Sequence, residues 1–251
     1  MTPPSALLLP GLLCDRALWA GQLAALGTQV RCIVPAWGAL DSVPAMAAAV
    51  LAQAPPRFVL LGHSLGGRVA LEIVRSAPAR VSALALLNTG YQPRPAGAAG
   101  DHEARERQAL LERAGADGMR AMGRVWVQRM VHPLRLGDAA LIEAILAMIE
   151  RCPLEVFAAQ IRALLERPDA SAVLTAIRCP TLLLCGAQDS WSPPARHEAM
   201  ARLIRGSQLA VIPECAHMSP MERPAEVAER LSQWLAATLG GPRHAREGDQ
   251  L

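Results

Sequence analysis

Phe58-Val-Leu-Leu-Gly-His-Ser-Leu-Gly-Gly-Arg68 is the stretch that decides how this chain folds. Its first four residues are apolar, too few for a helix and bounded by a glycine, which predicts a buried strand. The apolar pattern after the glycines fits a helix that runs to Pro78. Between strand and helix lies Gly62-His-Ser-Leu-Gly66, a serine flanked by glycines at a sharp turn.

Such a turn strains the residue at its apex and tolerates only small neighbours. It also projects the hydroxyl of Ser64 beyond the edge of the sheet, next to the N-terminus of the helix and the positive end of its dipole. We therefore interpret Ser64 as a nucleophile. The simpler alternative is that Ser64 only caps the helix, because serine is a favoured N-cap. The residues expected to partner Ser64 favour the first interpretation.

Strand and helix patterns alternate on both sides of this stretch. Alternation with continuously apolar strands predicts a parallel sheet that is covered by helices on both faces. The carboxyl ends of its strands then meet at one edge, the edge that carries Ser64. The predicted strands cover residues 6–9, 30–34, 58–61, 81–87, 179–185 and 208–212.

Residues 93–176 differ from the rest, since after a Pro/Gly/Ala-rich connector they show helix patterns and no convincing strand. This predicts a helical cap, or lid, inserted after the fourth strand. Residues 1–92 and 177–239 then form the α/β core. Residues 240–251 are polar and begin with Gly-Gly-Pro, which predicts a disordered tail.

Composition excludes several classes of protein. The chain has 251 residues, a length that fits one domain, and 52% of them are apolar. A net charge of +3 without a basic run or aromatic platform argues against nucleic-acid binding. No apolar run reaches the ~20 residues of a membrane span. The six cysteines lack metal-binding spacing, and nothing marks the chain as secreted, so we expect a cytoplasmic protein without a metal. The oligomeric state stays open.

A serine hydroxyl needs a base to take its proton, and the base needs a third group to orient it. His217 follows the last short strand, and Asp189 follows the strand before it, so both are expected at the edge that holds Ser64. The order Ser, Asp, His is the one expected for a serine on a strand-turn-helix. A lone Asp in a loop is usually a cap and a lone His is usually solvated, but their shared placement favours a catalytic role.

Other residues near this edge fit these roles less well. His63 precedes Ser64, and strand alternation predicts that its side chain points away. Asn88 follows the fourth strand, where an acid is possible in principle, but an amide cannot carry the charge.

An acyl-transfer site also needs two N–H donors for the oxyanion. The N–H of Leu65, at the start of the helix, is one candidate. The second is expected from the loop after the first strand, with Leu12 as donor and with Gly11 supplying unusual backbone angles. Cys14 and Cys215 flank this loop and His217, so we expect bulky thiol reagents to inhibit.

Gly62-His-Ser-Leu-Gly-Gly67, Asp189 and His217 together resemble the α/β-hydrolase superfamily over essentially the whole chain. The resemblance implies an α/β-hydrolase fold of about six mainly parallel strands flanked by helices, a Ser64–His217–Asp189 triad and a helical cap over the site. The sequence departs from the family in two places. Pro10-Gly11 stands where the family usually has His-Gly, and the antiparallel strand pair that usually precedes the first parallel strand is expected to be missing.

Serine at position 64 argues against the dehalogenases and epoxide hydrolases of this fold, which use a carboxylate nucleophile. The expected reaction is hydrolysis of a small to medium ester, thioester or lactone through an acyl-enzyme, without metal or organic cofactor. The cap is expected to supply an apolar pocket for this small-molecule substrate, although helix packing explains most of its apolar residues equally well. The candidates in the cap are Met122, Trp126, Met130, Leu146 and Phe157, and Trp191, beside Asp189, is expected near the site.

Three alternatives stay open. Ser64-Leu-Gly-Gly-Arg68 resembles the same stretch of the menaquinone-pathway lyase that eliminates pyruvate, and arginines of the cap could bind a substrate carboxylate. A proline-type aminopeptidase would need an acidic cluster, for which Glu103, Glu106 and Glu112 are candidates. The third alternative is a catalytically inert ligand-binding protein on the same fold.

Overall fold

A computed structural model describes residues 3–239, so the predicted tail at 240–251 lies outside the described residues. Six strands form one sheet in the order β2-β1-β3-β4-β5-β6, and every neighbouring pair is parallel. This confirms the expected sheet of about six strands. The strands are β1 (Ser5–Leu9), β2 (Arg31–Ile33), β3 (Phe58–His63), β4 (Val81–Leu87), β5 (Thr181–Gly186) and β6 (Gln208–Ile212).

Helices connect the strands and cover the sheet. Those of the core are α1 (Ala20–Leu26), α2 (Val43–Gln53), α3 (Leu65–Ser76), α9 (Pro194–Leu203), α10 (Ser219–Glu222) and α11 (Pro224–Leu239). Between β4 and β5 lie α4 (Ala98–Asp117), α5 (Met119–Trp126), α6 (Ala139–Glu150), α7 (Leu154–Leu165) and α8 (Ser171–Ala176). Short 3-10 turns cover Arg16–Trp19, Pro78–Arg80, Val127–Arg129 and Pro133–Arg135.

The central strands are the most deeply buried part of the molecule. All residues of β3 and β5 are buried, as expected for strands covered on both faces. The edge strand β6 instead exposes Leu209 and Val211, and β2 at the other edge has only three residues, fewer than the sequence pattern predicts. The buried middle of the sheet therefore fixes the positions of the loops that follow β3, β4 and β5.

We call residues 93–176, which contain α4 to α8, the helical insertion. Two of its residues hold loops of the core. Gln160 on α7 accepts the N–H of Leu13 at 2.9 Å, and the carbonyl of Met130 accepts the N–H groups of His217 and Met218 at 3.0 and 3.1 Å. These bonds fix the insertion above the carboxyl edge of the sheet. None of the described helices is both long and apolar enough to cross a membrane.

Candidate active site

Ser64 lies at a strained turn between β3 and α3. Its φ is 53° and its ψ is −114°, a conformation that residues with a side chain rarely adopt. The neighbouring glycines are required by space. A Cβ at Gly62 would lie 2.5 Å from the carbonyl oxygen of Gly66, and a Cβ at Gly66 would clash with the carbonyl of Leu9. The turn is therefore possible only with glycine at both places.

Three predicted residues meet at this edge. Nε2 of His217 lies 2.9 Å from Oγ of Ser64, and Nδ1 of His217 lies 2.9 Å from Oδ2 of Asp189. Because Nδ1 faces a carboxylate, it carries the proton, and Nε2 is then the acceptor for the hydroxyl of Ser64. This is the arrangement that transfers a proton away from a serine when it attacks a carbonyl carbon.

The carboxylate of Asp189 is held by three more donors besides Nδ1 of His217. Its Oδ1 accepts the N–H groups of Trp191 and Ser192, both at 2.9 Å, and its Oδ2 accepts Nδ2 of Asn88 at 3.0 Å. Burial alone would raise the pKa of Asp189, but His217, Asn88 and the N–H of Ser192 lower it below its usual range. Asp189 is therefore ionised at neutral pH and keeps His217 in one tautomer.

Asn88 follows β4 with a φ of 49°, in the left-handed region that Asn tolerates better than most residues. Besides Asp189, its Nδ2 donates to the carbonyl of Ala216 at 3.1 Å, and its Oδ1 accepts the hydroxyl of Ser219. The amide that cannot act as the acid therefore holds the acid in place. Its position directly after a strand is the signal that could have identified it.

Glu222 fixes the loop that carries His217. The carboxylate of Glu222 is fully buried and accepts the N–H groups of Ala216, Met218 and His132 at 3.1, 3.0 and 2.7 Å. Burial raises its pKa, and these three bonds counter that effect only in part. Sequence reasoning missed Glu222, because a glutamate five residues after a histidine carries no pattern of its own.

His63 does not point away from the site, as strand alternation predicted. Its Nε2 donates to the carbonyl of His217 at 2.8 Å, and the two imidazole rings lie 5.3 Å apart. At the end of β3 the space above Gly11 admits the ring, since a Cβ at Gly11 would lie 2.7 Å from Nδ1 of His63. Burial and the neighbouring His217 lower the pKa of His63 to about 3, so it is neutral and supports the histidine beside it.

Leu12 and Leu65, the two predicted oxyanion donors, both line a cavity above Ser64. No hydrogen bond from the N–H of Leu12 or Leu65 is found within residues 3–239, which leaves both groups available to a ligand. The expected role of Gly11 is corrected. The positive φ of this loop belongs to Leu13, at 64°, whereas Gly11 is needed for the space it gives to His63.

A cavity of about 270 Å³ opens above Ser64, between the core and the insertion. Of the six apolar residues predicted to line it, Trp126, Met130 and Trp191 do so. The other three lie elsewhere. They are fully buried where the helices of the insertion pack together, because their positions on α5, α6 and α7 face neighbouring helices: Met122, Leu146 and Phe157.

The two cysteines near the site are less reactive than expected. Cys14 and Cys215 are both buried, and burial raises the pKa of both thiols well above the usual range. A thiol that stays protonated is a poor nucleophile. Rapid inhibition by bulky thiol reagents is therefore no longer expected.

Comparisons with known proteins agree with this fold. The profile of the alpha/beta hydrolase family matches residues 6–230. A pimeloyl-[acyl-carrier protein] methyl ester esterase of Aromatoleum aromaticum is 28% identical over 243 residues, which cover 91% of this chain and 96% of that protein. A malate-bound thermophilic esterase from Thermogutta terrifontis superposes with a TM-score of 0.85 at 31% identity, over 94% of this chain and 91% of the other. The enol-lactonase from Burkholderia xenovorans shares the fold, with a TM-score of 0.83 at 20% identity over 94% and 92% of the two chains. The chain belongs to the alpha/beta hydrolase family.

Proposed function

We propose that this member of the alpha/beta hydrolase family cleaves a small to medium ester, thioester or lactone through an acyl-enzyme on Ser64, and that it acts in the cytoplasm. The observation that carries the proposal is the chain of two 2.9 Å contacts from Ser64 through His217 to Asp189. The relatives named as esterases support cleavage of an ester bond.

In the first half of the reaction, Oγ of Ser64 attacks the ester carbonyl while its proton passes to Nε2 of His217. The carbonyl oxygen becomes negative and accepts the N–H groups of Leu12 and Leu65. Removing one such donor costs roughly 3–4 kcal/mol in enzymes where it has been measured. The tetrahedral intermediate then collapses. The bond to the alcohol oxygen breaks, and that oxygen takes the proton from His217 and leaves.

In the second half, water replaces the alcohol. His217 accepts a proton from the water, whose oxygen attacks the acyl carbon, and the same two N–H groups hold the new oxyanion. Collapse returns the proton from His217 to Oγ of Ser64 and releases the acid. Asp189 stays ionised throughout and stabilises the imidazolium form of His217 in both halves. These steps consume one water and need no cofactor.

The aminopeptidase alternative requires free carboxylates for a substrate amine. The two that line the cavity already contact arginines. Glu103 accepts hydrogen bonds from Arg107 and Arg167, and Glu106 lies 2.6 Å from Arg129. A cavity wall with its acids neutralised in this way does not favour a cationic substrate.

The pyruvate-eliminating lyase is the second candidate, because it would use the same Ser64 and His217 and because arginines line the cavity beside them. An inert binding protein is disfavoured by the strain at Ser64, which a protein without catalysis has no use for. Labelling by a fluorophosphonate separates the inert binding protein from both enzymes. An activated Ser64 reacts with it, and an inert serine does not.

The decisive experiment is hydrolysis of a p-nitrophenyl ester series, from acetate to dodecanoate, by the wild type and by Ser64→Ala. We expect the variant to lose roughly 10³-fold or more in kcat. The matched control is Ser76→Ala, which removes an exposed serine at the other end of α3 and should leave the rate unchanged.

The wild type's dependence on chain length then measures the acyl pocket. Equal rates for the wild type and Ser64→Ala would refute the proposed nucleophile. Absence of turnover across the series, with Ser64 still labelled by a fluorophosphonate, would favour the lyase.

A further inference from the structure

The cavity above Ser64 holds more positive than negative charge. Four arginines contribute to its wall, two from the core and two from the insertion, against two glutamates. The arginines are Arg68, Arg196, Arg107 and Arg167, and the glutamates are Glu103 and Glu106. The proposed ester hydrolysis needs none of these charges, so another part of the substrate must account for them.

Two of the four arginines are already paired. The carboxylate of Glu103 accepts Nη2 of Arg107 at 2.9 Å and both Nη atoms of Arg167 at 2.6 and 2.8 Å. The guanidinium groups of Arg107 and Arg167 are buried, and this shared carboxylate fixes their positions. Glu106 is occupied by Arg129. No acidic side chain of the wall is left for the other two arginines.

Arg68 and Arg196 donate hydrogen bonds only to backbone carbonyls within the described residues. Nη1 of Arg68 donates to Gln92, at 2.8 Å, and Nη1 of Arg196 donates to Trp191, at 2.6 Å. The two guanidinium groups also converge. Nη2 of Arg68 and Nη1 of Arg196 lie 3.1 and 3.3 Å from the point where a Cβ on Gly90 would stand.

This convergence is unfavourable without an anion. Burial lowers the pKa of Arg68, Arg167 and Arg196 lower it further, and Glu103 raises it only in part. A guanidinium nevertheless stays charged at neutral pH. The repulsion between these cations is therefore a cost that a bound anion would remove. The indole N–H of Trp191 in the same wall also has no acceptor among the described residues.

We infer that the substrate carries a carboxylate, and that Arg68 and Arg196 bind this group while Ser64 attacks the ester. Arg68 lies on α3, four residues after the N-cap Ser64, a rise of about 6 Å along the helix axis. The proposed substrate is thus a small half-ester or an ester of a hydroxy acid. This inference rests on the proposed ester hydrolysis, and it adds the class of ester.

A carboxylate fits this site in geometry as well as charge. A planar carboxylate accepts parallel N–H groups from a guanidinium, and such charge-assisted bonds are about twice as strong as neutral ones. A cavity of about 270 Å³ also suits a small substrate with its ester and its anion close together.

The test compares two esters that differ only at the far end. Mono-p-nitrophenyl glutarate carries a carboxylate there, and p-nitrophenyl 5-methylhexanoate carries an isopropyl group of the same shape. We expect kcat/KM of the wild type to be about 10- to 100-fold higher for the glutarate, the worth of charge-assisted hydrogen bonds. A second pair, 4-acetoxybenzoate and its methyl ester, places the anion on the alcohol side. The pair that shows the preference tells which side of the ester faces Arg68.

The variants Arg68→Gln and Arg196→Gln should each lower that ratio about tenfold or more, whereas Arg124→Gln should not change it. Arg124 is exposed on α5 and serves as the matched control. Because the ratio compares two substrates of one variant, it is insensitive to a loss of folded protein. If one of the two variants fails to fold, the substrate ratio of the other variant still tests the inference.

The outcomes separate this inference from the proposed function. Hydrolysis of both members of each pair at equal rates would refute the carboxylate site and leave ester hydrolysis intact. Absence of all hydrolysis would refute the proposed function, and calorimetry with glutarate on Ser64→Ala would still test the site. In that case, glutarate binding that survives when Arg68→Gln or Arg196→Gln is added to Ser64→Ala would refute the inference.

Discussion

The sheet edge that carries Ser64 and the wall of the helical insertion that faces it are held by different interactions. At the edge, backbone N–H groups and a buried amide hold Asp189, and Ser64 lies at a turn that only glycine neighbours permit. In the insertion, Arg107, Arg167 and Glu103 are fixed by one another through their long side chains. The first arrangement depends on the backbone and tolerates little change. The second can be altered by single substitutions without moving the backbone, which suits a surface that selects the substrate.

The division is not complete, because the insertion also supports the edge. The carbonyl of Met130 accepts two N–H groups of the loop that carries His217, and Gln160 accepts the N–H of Leu13 beside the predicted oxyanion donor. The insertion therefore acts as more than a removable lid. Substitutions at the edge should change the rate of the reaction, and substitutions in the arginine and glutamate wall should change the choice of substrate.

The largest effect is expected for Asp189→Asn. An amide at this place cannot hold the proton on Nδ1 of His217, so Nε2 no longer accepts the proton of Ser64. We expect kcat to fall about 10⁴-fold, as in other serine hydrolases that lose this charge. The measurement is single-ester kinetics together with thermal unfolding.

The matched control is Asp169→Asn, which changes an exposed aspartate after the insertion's α7 and should leave kcat intact. A loss of less than tenfold for Asp189→Asn in a folded protein would mean that another group orients His217. The sheet edge would then tolerate more change than its fixed backbone contacts predict.

An intermediate effect is expected for Glu222→Gln. The amide can accept at one atom only, so at least one of the three N–H groups it now binds is left buried and unpaired, at a cost of about 1–3 kcal/mol. The loop that carries His217 should loosen, and we expect kcat to fall about 10- to 100-fold with little change in KM.

The exposed Glu229 on α11 gives the control, since Glu229→Gln removes the same charge without touching the loop. Loss of stability with an unchanged kcat in Glu222→Gln would show that this glutamate supports the fold but not the position of His217. In that case the backbone alone fixes the edge.

The edge could be read from the sequence because its information is local. A short apolar strand, a glycine-flanked serine and polar residues placed after strands predicted the fold and brought together Ser64, Asp189 and His217. The alternation of strands and helices could be predicted without knowing any contact between distant residues. The direction of the His63 side chain was predicted wrongly. Alternation describes the two faces of a sheet, and it does not describe the space that Gly11 leaves for this ring at the end of β3.

The insertion could be predicted only as a set of helices. Which of its apolar residues face the cavity depends on how the helices pack, and three of the five candidates within it are buried away from the cavity. The sequence indicates only that arginines of the cap could bind a substrate carboxylate. Only the structure shows that Arg68, from the core, meets Arg196 near Gly90 while Glu103 occupies the other two. Such long-range pairing of flexible side chains leaves no periodic signal in a sequence.

The smallest effect, and the one that separates the two regions most cleanly, is expected for Glu103→Gln. Burial alone would raise the pKa of Glu103, but Arg167 and Arg107 lower it to about 2. A carboxyl with a folded pKa below its unfolded value of about 4.3 stabilises the folded state above that pH and loses this contribution as the pH falls towards 2. At pH 7, Glu103→Gln should therefore be about 1–2 kcal/mol less stable than the wild type and unfold at a temperature a few degrees lower. This difference in unfolding temperature should disappear between about pH 5 and pH 2. Glu112→Gln, at an exposed site on the same helix, should show no such difference.

Glu103→Gln should also change the choice of substrate. Because it frees Arg107 and Arg167, the preference for an anionic over a neutral ester should rise, while reaction at Ser64 with the neutral ester stays within a few-fold of the wild type. A large loss on both esters would show that the wall of the insertion and the sheet edge act as one unit.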